Sequence, residues 1–241
     1  MQGAAEVVPV SSSAQLTLLP WLLGWDEPAD RTTFAAALHA GSCAGMTWAL
    51  RADLALLSRS DLAWLSVTSV PAAVAGLVLS DQAEQRFGGR ARLASLLAGA
   101  GVLLWVADRR PEDRSLDRVA MAAAGLAQVA ALVPGVSRSG AALTALRALR
   151  VGRTDAQRHT ALMSLPITAG AAVLTVARAD RLSVRSMAKP LATGVPCAAV
   201  TAAIGTAALQ RHGRAPVTAS ALYRLAVATA VVVRQRRTGP L

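Results

Sequence analysis

A short stretch in the second half of the chain, ALVPGVSRSG, places an arginine between two serines at the end of an otherwise apolar segment. Pro134 and Gly135 stop a helix there, and the helix that follows is too short to span a membrane before the next charged residue. Backbone amides at the start of a helix bind anions, and the guanidinium of Arg138 adds a planar fork of donors that suits phosphate oxygens. With the hydroxyl groups of Ser137 and Ser139, this pattern predicts a phosphate site.

A similar stretch, VVPVSSSA, lies near the start of the chain. Pro9 breaks the chain there, and the serines that follow can cap and line the start of the next helix. These serines are Ser11, Ser12 and Ser13. Irregular backbone at membrane depth survives only where it is buried in protein or lines a wet cavity. We therefore expect both proline-broken segments to face one cavity.

Glu6 and Gln2 lie just upstream of Pro9 and are four residues apart, which puts both side chains on one face of a helix. A carboxylate and an amide oxygen can hold a hard divalent cation, Mg²⁺ or Ca²⁺, or orient a water molecule. A cation, an arginine and helix amides around one cavity predict a site for a diphosphate. The purely structural alternative is that the serines only cap helices, Arg138 lies at headgroup level and Glu6 is exposed near a chain end.

The elements that must position these residues are predicted to be membrane helices. Of the 241 residues, 54% are hydrophobic and only 16% are charged, and the mean hydropathy is +0.42. Several charge-free runs are each long enough to cross a hydrocarbon core of about 30 Å. These runs are Val7–Trp25, Thr32–Leu50, Leu62–Ser80, Val119–Ser137 and Pro190–Gln210. A soluble all-α protein would show polar residues at every third or fourth position, and these runs do not.

The net charge of +11 does not indicate nucleic-acid binding. Basic residues cluster in the short connections between apolar runs, where they suit anionic lipid headgroups, and aromatic residues for base stacking make up only 3% of the chain. The clusters are Arg109, Arg110 and Arg114; Arg178, Arg181 and Arg185; Arg211 and Arg214; and Arg234, Arg236 and Arg237. We expect membrane lipids as partners and no nucleic acid, while the orientation in the membrane stays open.

The two proline-serine stretches each open one half of the chain, and a second pair of related stretches follows them. That pair is TSVPAAVAGLVL and MSLPITAGAAVL, with Pro71 and Pro166 inside apolar helices. Paired, proline-interrupted hydrophobic segments are typical of an internal repeat whose broken helices meet at a binding site near the membrane interior. The sequence thus predicts one membrane domain over residues 1–241, with a first repeat over about 1–115 and a second over about 116–241.

Taken together, these motifs resemble the undecaprenyl-diphosphate phosphatases, also called the bacitracin-resistance family. QGAAEVVPVSSSAQL is similar to the first signature of that family, and PGVSRSG is similar to the second. TTFAAALHAGSCAGMTWALRADL, VPAAVAGLVLSDQAEQRFG, GLAQVAAL, MSLPITAG and APVTASALYRL follow in the family's order, so the resemblance covers essentially the whole chain.

The resemblance implies an all-α, polytopic helical bundle in the bacterial plasma membrane, with an inverted repeat and two re-entrant helix-loop-helix elements. It implies hydrolysis of undecaprenyl diphosphate to undecaprenyl phosphate and inorganic phosphate, which recycles the lipid carrier of cell-wall synthesis. It leaves the oligomeric state open, a homodimer included. The implied catalytic residues are Ser12 as nucleophile, Glu6, which with Gln2 is linked to the divalent cation, and Arg138 as phosphate clamp. The implied substrate-binding residues are Ser11, Ser13, Gly135, Ser137, Ser139 and Gln15.

Two positions depart from the family pattern. Gln15 stands where the family usually has a histidine, and glutamine cannot act as an acid or base near neutral pH. Ala142 stands where a threonine usually follows the SRSGA motif. His39 lies in an apolar run where relatives tend to have glutamine, so an exchange of roles with Gln15 is one hypothesis, and a satisfied helix histidine is the simpler interpretation. Both departures bear on turnover more than on binding.

Two other functions can use a serine-arginine phosphate site in a membrane. In one, the same pocket binds a polyprenyl phosphate and the repeat moves it across the bilayer. In the other, found in acid-phosphatase-like membrane phosphatases, a histidine a few residues downstream is the nucleophile. The stretch SRSGAALTAL contains no histidine, which argues against the second function.

Overall fold

The computed structural model describes residues 1–26, 30–87, 89–178, 187–211 and 215–238. Within these ranges the chain is helical apart from its turns and one isolated β-bridge, which confirms the predicted all-α class. The helices are α1 (Gln2–Val7), α2 (Ser12–Leu23), α3 (Arg31–Ala49), α4 (Arg51–Ala55), α5 (Arg59–Phe87), α6 (Arg90–Asp108), α7 (Arg118–Ala127), a 3₁₀ helix (Gln128–Leu132), α8 (Arg138–Ala148), α9 (Arg153–Arg178), α10 (Ala188–Arg211) and α11 (Ala215–Thr238). Three arginines of the predicted headgroup clusters, Arg181, Arg185 and Arg214, lie outside the described residues.

Four helices in the described part of the chain are long and apolar enough to cross a membrane. They are Arg59–Leu79 within α5, Arg90–Asp108, Ala188–Arg211 and Val217–Arg237 within α11. Large apolar side chains stay exposed on these helices, as Val70, Leu77 and Val78 do on α5. Because lipid tails are themselves apolar, outward apolar faces are expected of helices that cross a bilayer. The predicted multi-pass architecture is confirmed.

The two proline-broken segments have the same local shape. Ser11 holds the N-cap position of α2 with a φ of 64°, and Ser137 holds that of α8 with a φ of 74°. A positive φ is uncommon in a residue other than glycine, and at both positions it turns the chain sharply into the next helix. The charge-free runs Val7–Trp25 and Val119–Ser137 are therefore interrupted, as their prolines predict. The division into repeats over 1–115 and 116–241 stays a prediction.

Helices α7 and α8 form a hairpin whose two ends lie together. Arg114, before α7, bridges to Val151 after α8, and Nη1 of Arg110 donates to the carbonyl of Ala148 over 3.1 Å. The turn at the other end contains Gly135, whose φ of 97° needs a glycine and whose absent Cβ would lie 2.9 Å from the carbonyl oxygen of Leu93 in α6. The hairpin thus has the shape of a re-entrant element, and its depth in a membrane stays a prediction.

Helix α1 lies between α3 and α10. A Cβ on Gly3 would lie 1.9 Å from the carbonyl oxygen of Ala198, so only glycine permits this approach. Val7 of α1 joins Met46 of α3 and Ala202 of α10 in one cluster of buried apolar side chains. This packing fixes α1 against the two longer helices and sets where its polar side chains point.

Candidate active site

Glu6 and Arg138 come from the two proline-broken segments, 132 positions apart, and they meet. Nη2 of Arg138 donates to Oε2 of Glu6 over 2.9 Å. The side chain of Glu6 is 3% exposed and that of Arg138 is 28% exposed, so the carboxylate is buried and the guanidinium is partly accessible. The hydroxyl group of Ser12 lies near the same carboxylate. The two segments therefore meet, as the sequence predicts, while the catalytic roles of these residues stay predictions.

Gln2 holds the second oxygen of the same carboxylate. Its Nε2 donates to Oε1 of Glu6 over 2.8 Å, and its own Oε1 is buried without a hydrogen-bond partner in the part of the chain that the structure describes. Among those residues, groups of three or more His, Cys, Asp or Glu side chains that could hold a metal are absent. The unpartnered Oε1 of Gln2 is an oxygen of the kind that a hard cation such as Mg²⁺ takes as a ligand, and a cation held by Glu6 and Gln2 stays a prediction.

His39 of α3 lies on the other side of Glu6. Its Nδ1 is 3.2 Å from Oε1 of Glu6, without the alignment of a hydrogen bond, and its side chain is 21% exposed. A histidine in an apolar run would ordinarily be a core residue, but this one contacts the site's carboxylate. Only the helix packing reveals that placement, because nothing in the local sequence links His39 to Glu6.

The second segment presents hydroxyl groups and amides beside Arg138, the first residue of α8. The Oγ of Ser137 accepts from the backbone N–H of Gly140 over 3.2 Å and lies 3.2 Å from the Oγ of Ser139. Ser11 and Ser13 of the first segment are similarly close, with their Oγ atoms 3.4 Å apart. Each of these pairs lies at the start of a helix, where backbone amides and the helix dipole favour an anion.

Arg224 of α11 is a second arginine at this site, and the sequence reasoning missed it. Its side chain is fully buried, and its Nε, Nη1 and Nη2 atoms lack hydrogen-bond partners among the described residues. A Cβ on Gly140 would lie 2.6 Å from Nη2 of Arg224 and 3.3 Å from Oγ of Ser137, so the guanidinium lies against the first turn of α8. A buried, unpaired guanidinium is costly and fits a bound anion. The signal in the sequence is an arginine inside the apolar stretch of α11, the same signal that drew attention to Arg138.

Gln15 and Ala142, the two residues that depart from the family pattern, are both buried. Gln15 is 1% exposed, and both ends of its amide are engaged within the protein, by Val10 and Tyr223. Ala142 is 1% exposed and belongs to a cluster of buried apolar side chains with Leu143. A substrate-binding role for Gln15 stays a prediction.

Comparisons with known proteins show the family of this chain. The family model described as Bacitracin resistance protein BacA matches residues 1–230. The chain belongs to this family. A relative from Geobacter sulfurreducens is 39% identical, covering 88% of this chain and 86% of the relative, and one from Geobacter metallireducens is 38% identical, covering 97% and 94%. A third, from Gemmatimonas aurantiaca, is 37% identical over 88% of this chain and 85% of its own. All three carry the name undecaprenyl-diphosphatase.

The BacA family and the fold of this chain both indicate a membrane location. The four apolar helices and the bacterial relatives identify a multi-pass protein of a bacterial membrane. In that protein Glu6 and Arg138 pair with each other, and Arg224 lies fully buried against the first turn of α8. Ionisable residues inside membrane proteins are expensive and mark functional sites.

Proposed function

We propose that this protein hydrolyses undecaprenyl diphosphate to undecaprenyl phosphate and inorganic phosphate. The observation that carries the proposal is the ion pair between Glu6 and Arg138, which joins the two serine-containing turns into one site beside the unpaired guanidinium of Arg224. The names of the relatives support hydrolysis of this substrate, and with it a role in cell-wall synthesis and bacitracin resistance. A homodimer stays a prediction.

In this proposal, the diphosphate binds where the first turn of α8 meets the two arginines. The backbone amides of α8 and the hydroxyl groups of Ser137 and Ser139 face the phosphate oxygens, and Arg224 gains the anionic partner that it lacks among the described residues. Arg138 exchanges part of its contact with Glu6 for phosphate and neutralises the charge that grows on the transferring phosphoryl group. The polyprenyl chain stays in the apolar surroundings of the bilayer.

The chemical step begins with the Oγ of Ser12 attacking the terminal phosphorus. The hydroxyl proton goes to a base, the bond from phosphorus to the bridging oxygen breaks, and undecaprenyl phosphate leaves with that oxygen. Water then hydrolyses the phosphoserine and releases inorganic phosphate. In the alternative, Ser12 orients a water molecule that attacks directly, and trapping of a phosphoserine on rapid quenching with a labelled substrate distinguishes the two.

Two nearby groups are candidates for proton transfer and charge neutralisation. Glu6 accepts or relays the proton, and His39 beside it has taken over the acid-base role that Gln15 cannot perform. A divalent cation held by Glu6 and Gln2 would add positive charge at the phosphate oxygens. His39→Gln is expected to abolish turnover if this exchange of roles is right, and unchanged turnover excludes it.

The experiment that tests the function is phosphate release by the purified protein. We expect release from undecaprenyl and farnesyl diphosphate with Mg²⁺ or Ca²⁺, and loss of at least about 1,000-fold in Ser12→Ala. Ser95→Ala is the control, because the Ser95 hydroxyl is exposed and only bonds to Ala91 of its own helix. Binding of the lipid without phosphate release would instead favour the translocation function.

A further inference from the structure

A hydrogen-bonded relay links α11 to the turn that carries Ser12. The phenolic hydroxyl of Tyr223 donates to Oε1 of Gln15 over 2.8 Å, and Nε2 of Gln15 donates to the carbonyl oxygen of Val10 over 2.9 Å. Val10 lies between Pro9 and Ser11 in the break between α1 and α2. Its carbonyl is outside the hydrogen-bond ladder of α2, whose cap is Ser11. The relay therefore supplies a partner to a buried carbonyl that the helix cannot satisfy.

The chemistry of the three groups fixes the direction of the relay. The carbonyl of Val10 can only accept, so the amide nitrogen of Gln15 must face it, and the amide oxygen is left to accept from Tyr223. Both ends of the amide are then used, and the side chain is 1% exposed. The amide of Gln15 thus contacts the turn at one end and Tyr223 at the other.

Tyr223 immediately precedes Arg224, so consecutive residues of α11 reach the two broken segments. Arg224 lies against Gly140 in the second segment, whereas Tyr223 acts on the first through Gln15. Helix α11 holds both turns at once.

We infer that Tyr223 is a positioning residue, which through Gln15 holds the turn before Ser12 so that its hydroxyl faces the terminal phosphorus. The inference rests on the proposed phosphatase function and adds to it a residue outside both signature motifs. A displaced nucleophile slows the chemical step, while phosphate binding by Arg138, Arg224 and α8 is unaffected. Loss of the relay should therefore lower kcat and leave KM nearly unchanged.

The variants follow from what each side chain can donate and accept. Tyr223→Phe removes only the hydroxyl group, and we expect kcat to fall about 5- to 10-fold. Gln15→Leu removes the whole amide, and kcat should fall about 10- to 100-fold. Gln15→His keeps one acceptor and one donor in its neutral form. Unlike Gln15→Leu, it should therefore have a kcat within about threefold of wild type. Gln15→Glu, when ionised, accepts from Tyr223 but cannot donate to Val10, so it should resemble Gln15→Leu.

The double variant Tyr223→Phe with Gln15→Leu decides whether Tyr223 acts through Gln15. If it does, the double variant is no slower than Gln15→Leu alone. Leu222→Met is the matched control, since Leu222 is an exposed neighbour on the same helix. Losses that multiply, a rise in KM at constant kcat, or failure of Gln15→His to restore turnover would overturn the inference.

Different measurements would show that the role of Tyr223 is wrong and that the phosphatase function is wrong. If wild type releases no phosphate from undecaprenyl diphosphate, the function is wrong, and amide hydrogen exchange at residues 10–13 then tests the relay by itself. Faster exchange there in Tyr223→Phe and Gln15→Leu than in Leu222→Met supports the relay, and equal exchange refutes it. If wild type is active and Tyr223→Phe matches it in kcat, only the inference is wrong.

Discussion

A fully buried arginine lies at each end of α8: Arg147 of α8 itself at the C-terminal end, and Arg224 of α11 at the N-terminal end. The surroundings of the two side chains are opposite. At the C-terminal end, Nε of Arg147 donates to Oδ1 of Asp108 over 3.0 Å, Nη2 donates to the carbonyl of Arg110 over 2.6 Å, and Nη1 donates to the carbonyl of Val151. At the N-terminal end, the guanidinium of Arg224 lies against Gly140 and finds no hydrogen-bond partner among the described residues.

This difference separates a structural arginine from a binding one. Arg147 has its donors satisfied by the protein, so it fixes the end of the α7–α8 hairpin whether or not a ligand is present. Arg224 is buried, and its donors find no acceptor in the described part of the chain, a state that costs free energy until an anion binds. Burial alone does not distinguish the two residues; the partners do.

The largest effect on stability is expected from the loss of Arg147, whose donors are all bonded within the protein. Arg147→Met leaves the carbonyls of Arg110 and Val151 without donors and removes one partner of Asp108, so the free energy of unfolding should fall by about 3–5 kcal/mol. Thermal unfolding in detergent measures the change. The half-exposed Arg150, which pairs with Asp113, provides the control variant Arg150→Met, which should change little. Equal stability of Arg147→Met and wild type would contradict the structural role of Arg147.

Substitution of Arg224 should have the opposite effect on stability. Arg224→Met removes an unpaired buried charge, so stability should stay constant or rise, while kcat/KM for phosphate release falls by about 100- to 1,000-fold. Unfolding temperature and turnover are measured on the same preparation. A loss of stability as large as that of Arg147→Met would mean that Arg224 is also a structural residue.

A smaller effect is expected when the guanidinium of Arg224 is displaced without being removed. A Cβ in Gly140→Ala would meet Nη2 of Arg224 at 2.6 Å and Cβ of Ser137 at 3.2 Å, so the end of the Arg224 side chain must shift. We expect kcat/KM to fall about 10-fold or more. Gly99→Ala is the matched control, because a Cβ there meets nothing within 4 Å among the described atoms. The same result for both alanine variants would contradict the proposed position of Arg224.

The smallest effect is stabilisation by the anion alone. Inorganic phosphate at ten times its dissociation constant should stabilise the wild type by about 1.4 kcal/mol, because it binds the folded state only. The shift in unfolding temperature should disappear in Arg224→Met and persist in Arg150→Met. Sodium chloride at the same ionic strength controls for screening. An equal shift in all three proteins would show that the phosphate acts elsewhere.

Much of the fold and part of the site were predictable from the sequence. The apolar runs predicted membrane helices, and Pro9 and Pro134 predicted where two of those runs break. Glu6, Ser12 and Arg138 were named from residue type, spacing and resemblance, and the structure places them together. Arg224 was missed although it carries the same signal as Arg138, a charge within an apolar helix, because its helix has no proline break to draw attention to it.

The sequence by itself determined the features that depend on neighbouring residues. Apolar composition selects a membrane, a proline ends a helix because it lacks an N–H, and a serine can cap the helix that follows. Only the tertiary structure decided which of these residues meet: Glu6 with Arg138, His39 with Glu6, Tyr223 with Gln15, and Arg224 with the first turn of α8. Such contacts depend on how each helix is rotated and how closely it packs, and those quantities are set by the whole bundle.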